Sequence, residues 1–250
     1  MLSCTTSPPK EGSGHRPAER GPRRRSIMEA EMATELFAAI RGGDATAVER
    51  LLELDGGLVD AHDENGLSPV LAALYHGHND IAKAILGRRP NLNVFEAAAA
   101  GDVARVRELV GGDPARANGT SPDGYSALGL AAFFKRRDVV RYLLESGADP
   151  RPASRNGGFT PLHSAVATDA GSADVEIVRM LLDKGADPNA RSQSGSTPLH
   201  TVAFTGDRAN LELLMKHRAD PSIRNNDGKR PQDIATELGH ADAARALTSR

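Results

Sequence analysis

The chain has no tryptophan, a single cysteine (Cys4) and only nine aromatic residues, six Phe and three Tyr, among 250. One cysteine excludes both a disulfide framework and a cysteine-based zinc site. No stretch approaches the ~18 consecutive apolar residues that suggest a membrane span, so no membrane association is expected. A strong charge of either sign is lacking as well: the formal net charge is −2. What is present, 39% hydrophobic and 26% charged residues, suits a soluble, cytoplasmic chain long enough for one elongated domain or two small ones. Arg outnumbers Lys by 25 to 6 and Ala and Gly are abundant, a composition that points to a high-GC bacterial source.

Residues 1–27 are rich in Ser, Pro, Gly and Arg and carry no periodic apolar residues. Such a segment cannot offset the entropy of ordering and is expected to be a disordered tail. It holds six basic residues against two acidic ones, a net +4, which leaves the remainder near −6. Arg23, Arg24 and Arg25 could attract phosphate, but short basic tracts carry little specificity. They are read as a solvated tail, and nucleic acid is not expected as a partner.

The chain repeats itself. "GFTPLHSA" begins at Gly158 and "GSTPLHTV" at Gly195, with "GLSPVLAA" at Gly66, "GYSALGLAA" at Gly124 and "GKRPQDIA" at Gly228. "ESGADP" ends at Pro150, "DKGADPNA" at Ala190 and "KHRADPS" at Ser222. The five glycines lie 58, 34, 37 and 33 residues apart. A fixed period of that size means stacked units rather than one globular core. The motif resembles the ankyrin-repeat family, whose ~33-residue unit carries T-P-L-H-x-A, and the resemblance covers about residues 33–250. It implies an all-α repeat solenoid of helix-turn-helix pairs with projecting hairpin loops.

The residues support that architecture independently. Thr160 and Thr197 can cap a helix with a hydroxyl, and Pro161 and Pro198 follow at the first helical position, where a missing N–H costs nothing. Leu162 and Leu199 then point inward. Val139, Val140, Leu143 and Leu144, like Ile177, Val178, Leu181 and Leu182, give the second helix a wide apolar stripe. One unit cannot bury its own apolar face, so stacking must do it. The last copy has polar residues and Ala where others have large aliphatics, and reads as a C-terminal cap.

Residues 36–92 align with 94–150 at an offset of 58: Phe37 with Phe95, Gly43-Asp44 with Gly101-Asp102, Val48 with Val106, Leu51 with Leu109. A two-repeat block is duplicated, and its first member lacks the hairpin. Seven repeats are expected, the first and third of this starter type, with one finger missing in mid-array. Several positions depart from the pattern. Arg89 and Arg218 replace the turn glycine, at ~1–2 kcal/mol if left-handed. Lys135-Arg136-Arg137 replaces Gly-His, Asn210 an aliphatic residue, and Asp233 the histidine of TPLH. "TDAGSAD", residues 168–174, lengthens one helix-to-helix turn.

No catalytic constellation, metal site or cofactor motif emerges. His163 and His200 sit in the TPLH slot without convergent ligands and are read as structural, with Thr160, Pro161, Leu162, Thr197, Pro198 and Leu199. His76 and His78 with Asp80 are read as an ordinary turn rather than a metal site. What remains is a surface. The resemblance implies that hairpin tips and the exposed face of each first helix line a concave groove. On those positions fall Tyr75, His76, Tyr125, Phe133, Phe134, Phe159 and Phe204, including six of the nine aromatics. Aromatic clusters on a rigid surface are what binding hot spots consist of, although any one ring could instead pack between repeats. The expectation is a monomeric, non-catalytic module that binds a protein of unknown identity, as adaptor, scaffold or inhibitor. The alternative is a small-molecule site in a notch near residues 93–125, with Glu96 and Asp102 as its polar groups.

Overall fold

A computed structural model describes residues 22–89, 91–167 and 173–248, with side chains from residue 28 onward. Among these residues there are fourteen α-helices and no β-strand. They run α1 Pro22–Gly42, α2 Ala45–Leu54, α3 Pro69–Tyr75, α4 Asn79–Arg88, α5 Val94–Ala100, α6 Val103–Gly112 and α7 Ala127–Phe133. Then follow α8 Arg137–Glu145, α9 Pro161–Val166, α10 Val175–Asp183, α11 Pro198–Thr205, α12 Arg208–Lys216, α13 Pro231–Glu237 and α14 Ala241–Thr248. None of the described helices is long and apolar enough to cross a membrane. The fold is an all-α repeat solenoid.

The helices pack in consecutive pairs, and the odd-numbered members form one row, each against the next. Local chemistry sets their beginnings. Ser68, Ser126 and Thr160 accept a backbone N–H three residues on, and Pro69, Pro161, Pro198 and Pro231 open their helices. The first helices bury runs of small residues, such as Ala97–Ala99 and Ala131–Ala132, which let the row close up. In the second helices the aliphatic stripe is buried, as expected: Val139, Val140, Leu143 and Leu144 in α8, and Ile177, Val178, Leu181 and Leu182 in α10.

α1 starts at Pro22, five residues before the end of the tail expected over residues 1–27. Proline suits a first helical turn, and the arginines behind it are good helix formers. Residues 1–21 lie outside the described residues, as do 168–172 of the lengthened turn.

Only residues 89–93 separate α4 from α5, whereas residues 146–160 join α8 to α9. No finger fits into five residues. Fingers further along are tied to their neighbours by backbone bonds: Arg155 N donates to Gly124 O at 3.2 Å, Gln193 N to Gly157 O at 2.9 Å, and Asn226 N to Ser194 O at 2.9 Å. The first two fingers belong to pairs that are not adjacent, yet they meet. A Cβ on Gly66, whose φ is 76°, would lie 2.8 Å from Pro122 Cβ. In the row of second helices every neighbouring pair packs except α4 and α6, which approach slightly at most.

That junction is held by charge. The Glu96 carboxylate, 0% exposed, pairs with the Arg89 guanidinium, whose Nε lies 2.9 Å from Asp60 Oδ1. Glu96 Oε2 also accepts from Asn93 N at 3.0 Å while Asn93 Oδ1 accepts from Glu96 N at 3.0 Å, a capping box that starts α5 without the Thr-Pro device. Of the three residues that replace a turn glycine, Lys135 (φ 57°) and Arg218 (φ 66°) are left-handed. Arg89 is not, at φ −122°, because no finger follows it and the chain need not turn outward there.

Candidate functional site

His163 and His200 hold their helices together. His163 Nδ1 accepts from Thr160 N at 3.2 Å and lies 2.9 Å from Thr160 Oγ1, while Nε2 faces Ser196 O at 3.1 Å. A backbone N–H can only donate and a carbonyl can only accept, so the proton sits on Nε2. His200 repeats the arrangement with Thr197 N at 3.1 Å and Lys229 O at 3.1 Å. Each ring thus clips its own helix start to the next finger. Burial, first among the causes, pushes both imidazoles below their ordinary pKa of 6.5. Asp233 fills the same slot in α13 through its carboxylate, which accepts from Arg230 N at 2.9 Å.

The aromatic positions converge in part. Tyr75 at the end of α3 lies 5.7 Å from the Phe133 ring and 5.2 Å from the Phe134 ring, and those two rings meet edge to face at 5.0 Å. These rings come from helix pairs two and four. They touch because α5, between α3 and α7, presents only alanines at the corresponding level, Ala99 and Ala100. The close approach of the first two fingers adds Tyr75 Oη donating to Asp123 Oδ2 at 3.3 Å. Burial and then the Asp123 charge raise the Tyr75 and Tyr125 phenols above their ordinary range. Phe159, 40% exposed, sits at its finger tip with its ring centroid 6.0 Å from that of His163.

Together these groups line an apolar slot of about 170 Å³ walled by Tyr75, Tyr125, Leu130, Phe133, Phe159 and Ala167. Tyr75, Phe133 and Ala167 also wall a wider recess of about 450 Å³ that reaches His76, Phe134, Lys135 and Arg136. Phe204 is not part of this group. It is 62% exposed on α11, beyond α9, which ends in Val166 and Ala167 rather than in a ring. The exposed His76 ring stacks on His78 at 6.3 Å. Asp123, Leu130 and Ala167 contribute to the surface although they carry no aromatic signal. Asp123 lies at a finger tip and Ala167 at the inner end of its first helix, the positions that the resemblance assigns to the groove, whereas Leu130 is a buried core residue in the middle of α7 that no such position marks.

Both polar groups assigned to a notch near residues 93–125 are committed elsewhere. Glu96 is buried against Arg89, and Asp102 caps α6 through Arg105 N at 2.9 Å. Among the described residues no cluster of His, Cys, Asp and Glu could hold a metal ion.

Comparison with known proteins gives the context. A family model described as Ankyrin repeats (3 copies) matches residues 94–192 and 167–250. The human Espin-like protein is 42% identical over 53 residues, 21% of this chain and 5% of its own length. The mouse ARF GTPase-activating protein GIT2 is 42% identical over 53 residues, 21% of this chain and 8% of its own. Palmitoyltransferase AKR1 of Debaryomyces hansenii is 41% identical over 61 residues, 23% of this chain and 7% of its own. The chain therefore spans a small fraction of each relative. These animal and fungal matches lend no support to the bacterial source expected from composition. Ankyrin repeats are generally protein-interaction modules. With matched repeats over more than half its length and the helix pairs that the motif encodes, the chain belongs to the ankyrin-repeat family.

Proposed function

We propose that this protein is a non-catalytic interaction module, an adaptor, scaffold or inhibitor, that grips a partner protein on the face made by its first helices and finger tips. It acts as a cytoplasmic monomer, and the starter repeats that open each copy of the duplicated block shape the gripping face. The observation that carries this reading is the ring group Tyr75, Phe133 and Phe134, flanked by Tyr125 and Phe159, across fingers and helices that are not neighbours in the array. Rings held by mutual packing lose little freedom when a partner covers them, which favours binding. His76 and Phe204 lie on the same positions of their repeats and serve as outlying contacts.

The test is an affinity pull-down with Tyr125, Phe133, Phe134 and Phe159 replaced together by polar residues, with helicity checked by circular dichroism. A central hot-spot residue is worth about 2 kcal/mol or more, so specific partners should be lost. Unchanged interactors on a folded variant would remove this surface from consideration.

A further inference from the structure

We propose that the partner presents an extended segment of mixed charge, with basic residues over the first two fingers, acidic residues over the third and fourth, and one bulky apolar side chain between them. This deepens the interaction-surface reading above and rests on it.

The fingers, residues 62–67, 121–125, 154–159, 191–196 and 224–229, change sign along their row. The first carries Asp63 and Glu64 and the second Asp123, whereas the third carries Arg155 and the fourth Arg191. The fifth is mixed, since it holds Asp227 as well as Arg224 and Lys229, and those two cations face Asp233 and Glu237. Glu64, Arg155 and Arg191 are exposed. Asp63 accepts from Asn65 N and Leu67 N, and Asp123 from Tyr75 Oη and Ser121 Oγ. Arg191 is oriented by its Nη2, which donates to Arg224 O at 2.9 Å. All these bonding partners are neutral, so none of them cancels a charge of the row.

The sign changes between fingers two and three, which are laced together: Arg155 N donates to Gly124 O at 3.2 Å and Asn156 Nδ2 to Asp123 O at 2.9 Å. Asp123 and Arg155 are therefore neighbours. Among the described residues they form no ion pair with each other, the Asp123 carboxylate being bonded to Tyr75 and Ser121 instead. Tyr125 of finger two and Phe159 of finger three flank this boundary and wall the apolar slot of about 170 Å³. Such walls take an aliphatic or aromatic side chain and would strand a charged one. The packed helices beneath space the fingers about 8–10 Å apart, and an extended chain advances ~3.3 Å per residue. About three residues pass each finger, so the basic and acidic residues fall within about five positions of the apolar one, on opposite sides. Complementary potentials then fix the direction in which the segment lies and disfavour segments of a single sign.

The probe is a displayed library of random dodecapeptides, long enough at roughly 40 Å to cross four fingers, selected on the full chain. The winning peptides are then measured against Glu64→Lys, Arg155→Glu and Phe159→Ser, each first checked for unchanged helicity. Glu64 and Arg155 are exposed at turns, so reversing their charge keeps the fold. Expected are peptides with a bulky apolar residue between basic and acidic ones. Each charge reversal should weaken their binding about three- to tenfold, and Phe159→Ser at least about tenfold. Binding should fall as salt rises, and a peptide whose acidic residues are changed to Lys should prefer Arg155→Glu to the unaltered chain. Winners that need Phe159 but ignore either reversal, or that carry one sign of charge, would overturn the mixed-charge segment and leave the surface reading intact. Winners that feel the reversals but not Phe159→Ser would overturn the apolar centre. Indifference to all three variants would remove the surface itself, and a selection with no enrichment would overturn the linear segment. A dimer in light scattering that Arg155→Glu dissolves would put a second copy on the fingers and likewise overturn the proposal.

Discussion

Lys135, Arg218 and Arg89 stand at positions where other repeats carry glycine, yet only the first two share its backbone. A left-handed residue with a Cβ costs ~1–2 kcal/mol, partly offset by the entropy glycine loses on folding. Lys135→Gly and Arg218→Gly should therefore each stabilise the fold by about 1 kcal/mol in urea titrations. Arg89→Gly should do the opposite by about 3 kcal/mol or more, since it leaves the buried Glu96 carboxylate without its cation. The two imidazoles make a second case. Unfolded histidine takes up a proton near 6.5, but His163 and His200 resist it because burial disfavours their charged form. Below that pH the unfolded state binds more protons, so stability is fully present above about 6.5 and declines as the pH falls. The melting temperature should drop between about pH 7.5 and about pH 5.5, and His163→Gln with His200→Gln should flatten the slope. Glutamine can still accept the threonine N–H but cannot titrate. An equal slope in the double variant would assign the pH dependence to other groups.

Among elements, the departures Asn210 and "TDAGSAD" looked unrelated in sequence and prove to be one device. Asp207 Oδ2 accepts from Ala173 N at 3.0 Å and from Asn210 Nδ2 at 2.8 Å, while Asn210 Nδ2 also reaches Ala173 O at 3.2 Å. A buried amide on α12 thus pins the end of the lengthened turn that precedes α10. Asp207 does double duty, since it also caps α12 through Asn210 N at 3.2 Å. Asp207→Ala should cost about 2 kcal/mol, a lost cap plus an unsatisfied buried donor, with amide exchange at Ala173 rising first. The helix starts were legible because Thr-Pro and Ser-Pro spacings act within four residues. The capping box of Asn93 and Glu96 was legible in principle by the same rule. That Glu96 is also buried against Arg89 was not, because nothing local indicates that a missing finger brings those two side chains inward.

In the whole molecule the core divides. Leu36 to Ile85, with Ala99 and Leu130, form one buried cluster, and Leu92 to Leu247 form the other, with Leu86 and Phe95 bridging them. The division falls where the finger is missing, where α4 and α6 scarcely meet and where an ion pair stands in for apolar packing. In a repeat array stability is approximately a sum of unit and interface terms, so the weakest interface decides where it opens. Hydrogen exchange should show amides of α2 and α4 losing protection before those of α8 and α10, by on the order of tenfold in rate. Glu96→Gln should widen that gap. A single cooperative opening, unaffected by this substitution, would show that the bridging residues suffice to join the halves.

The sequence by itself determined the helix-pair repeat, its period, its starting signals and the internal duplication, because each depends on contacts within one unit or on self-similarity. The resemblance it carries also assigned six aromatics to the partner-facing positions of their repeats, of which Phe159 and Phe204 are exposed and the other four half-buried. Only the tertiary structure decided which of them meet. Tyr75 reaches Phe133 and Phe134 across an alanine-faced helix, and the first two fingers close over the gap, whereas Phe204 stands apart beyond a helix that carries no ring. Ring contact depends on the spacing of whole repeats and on what lies between them, and neither quantity is written at the positions that make the contact.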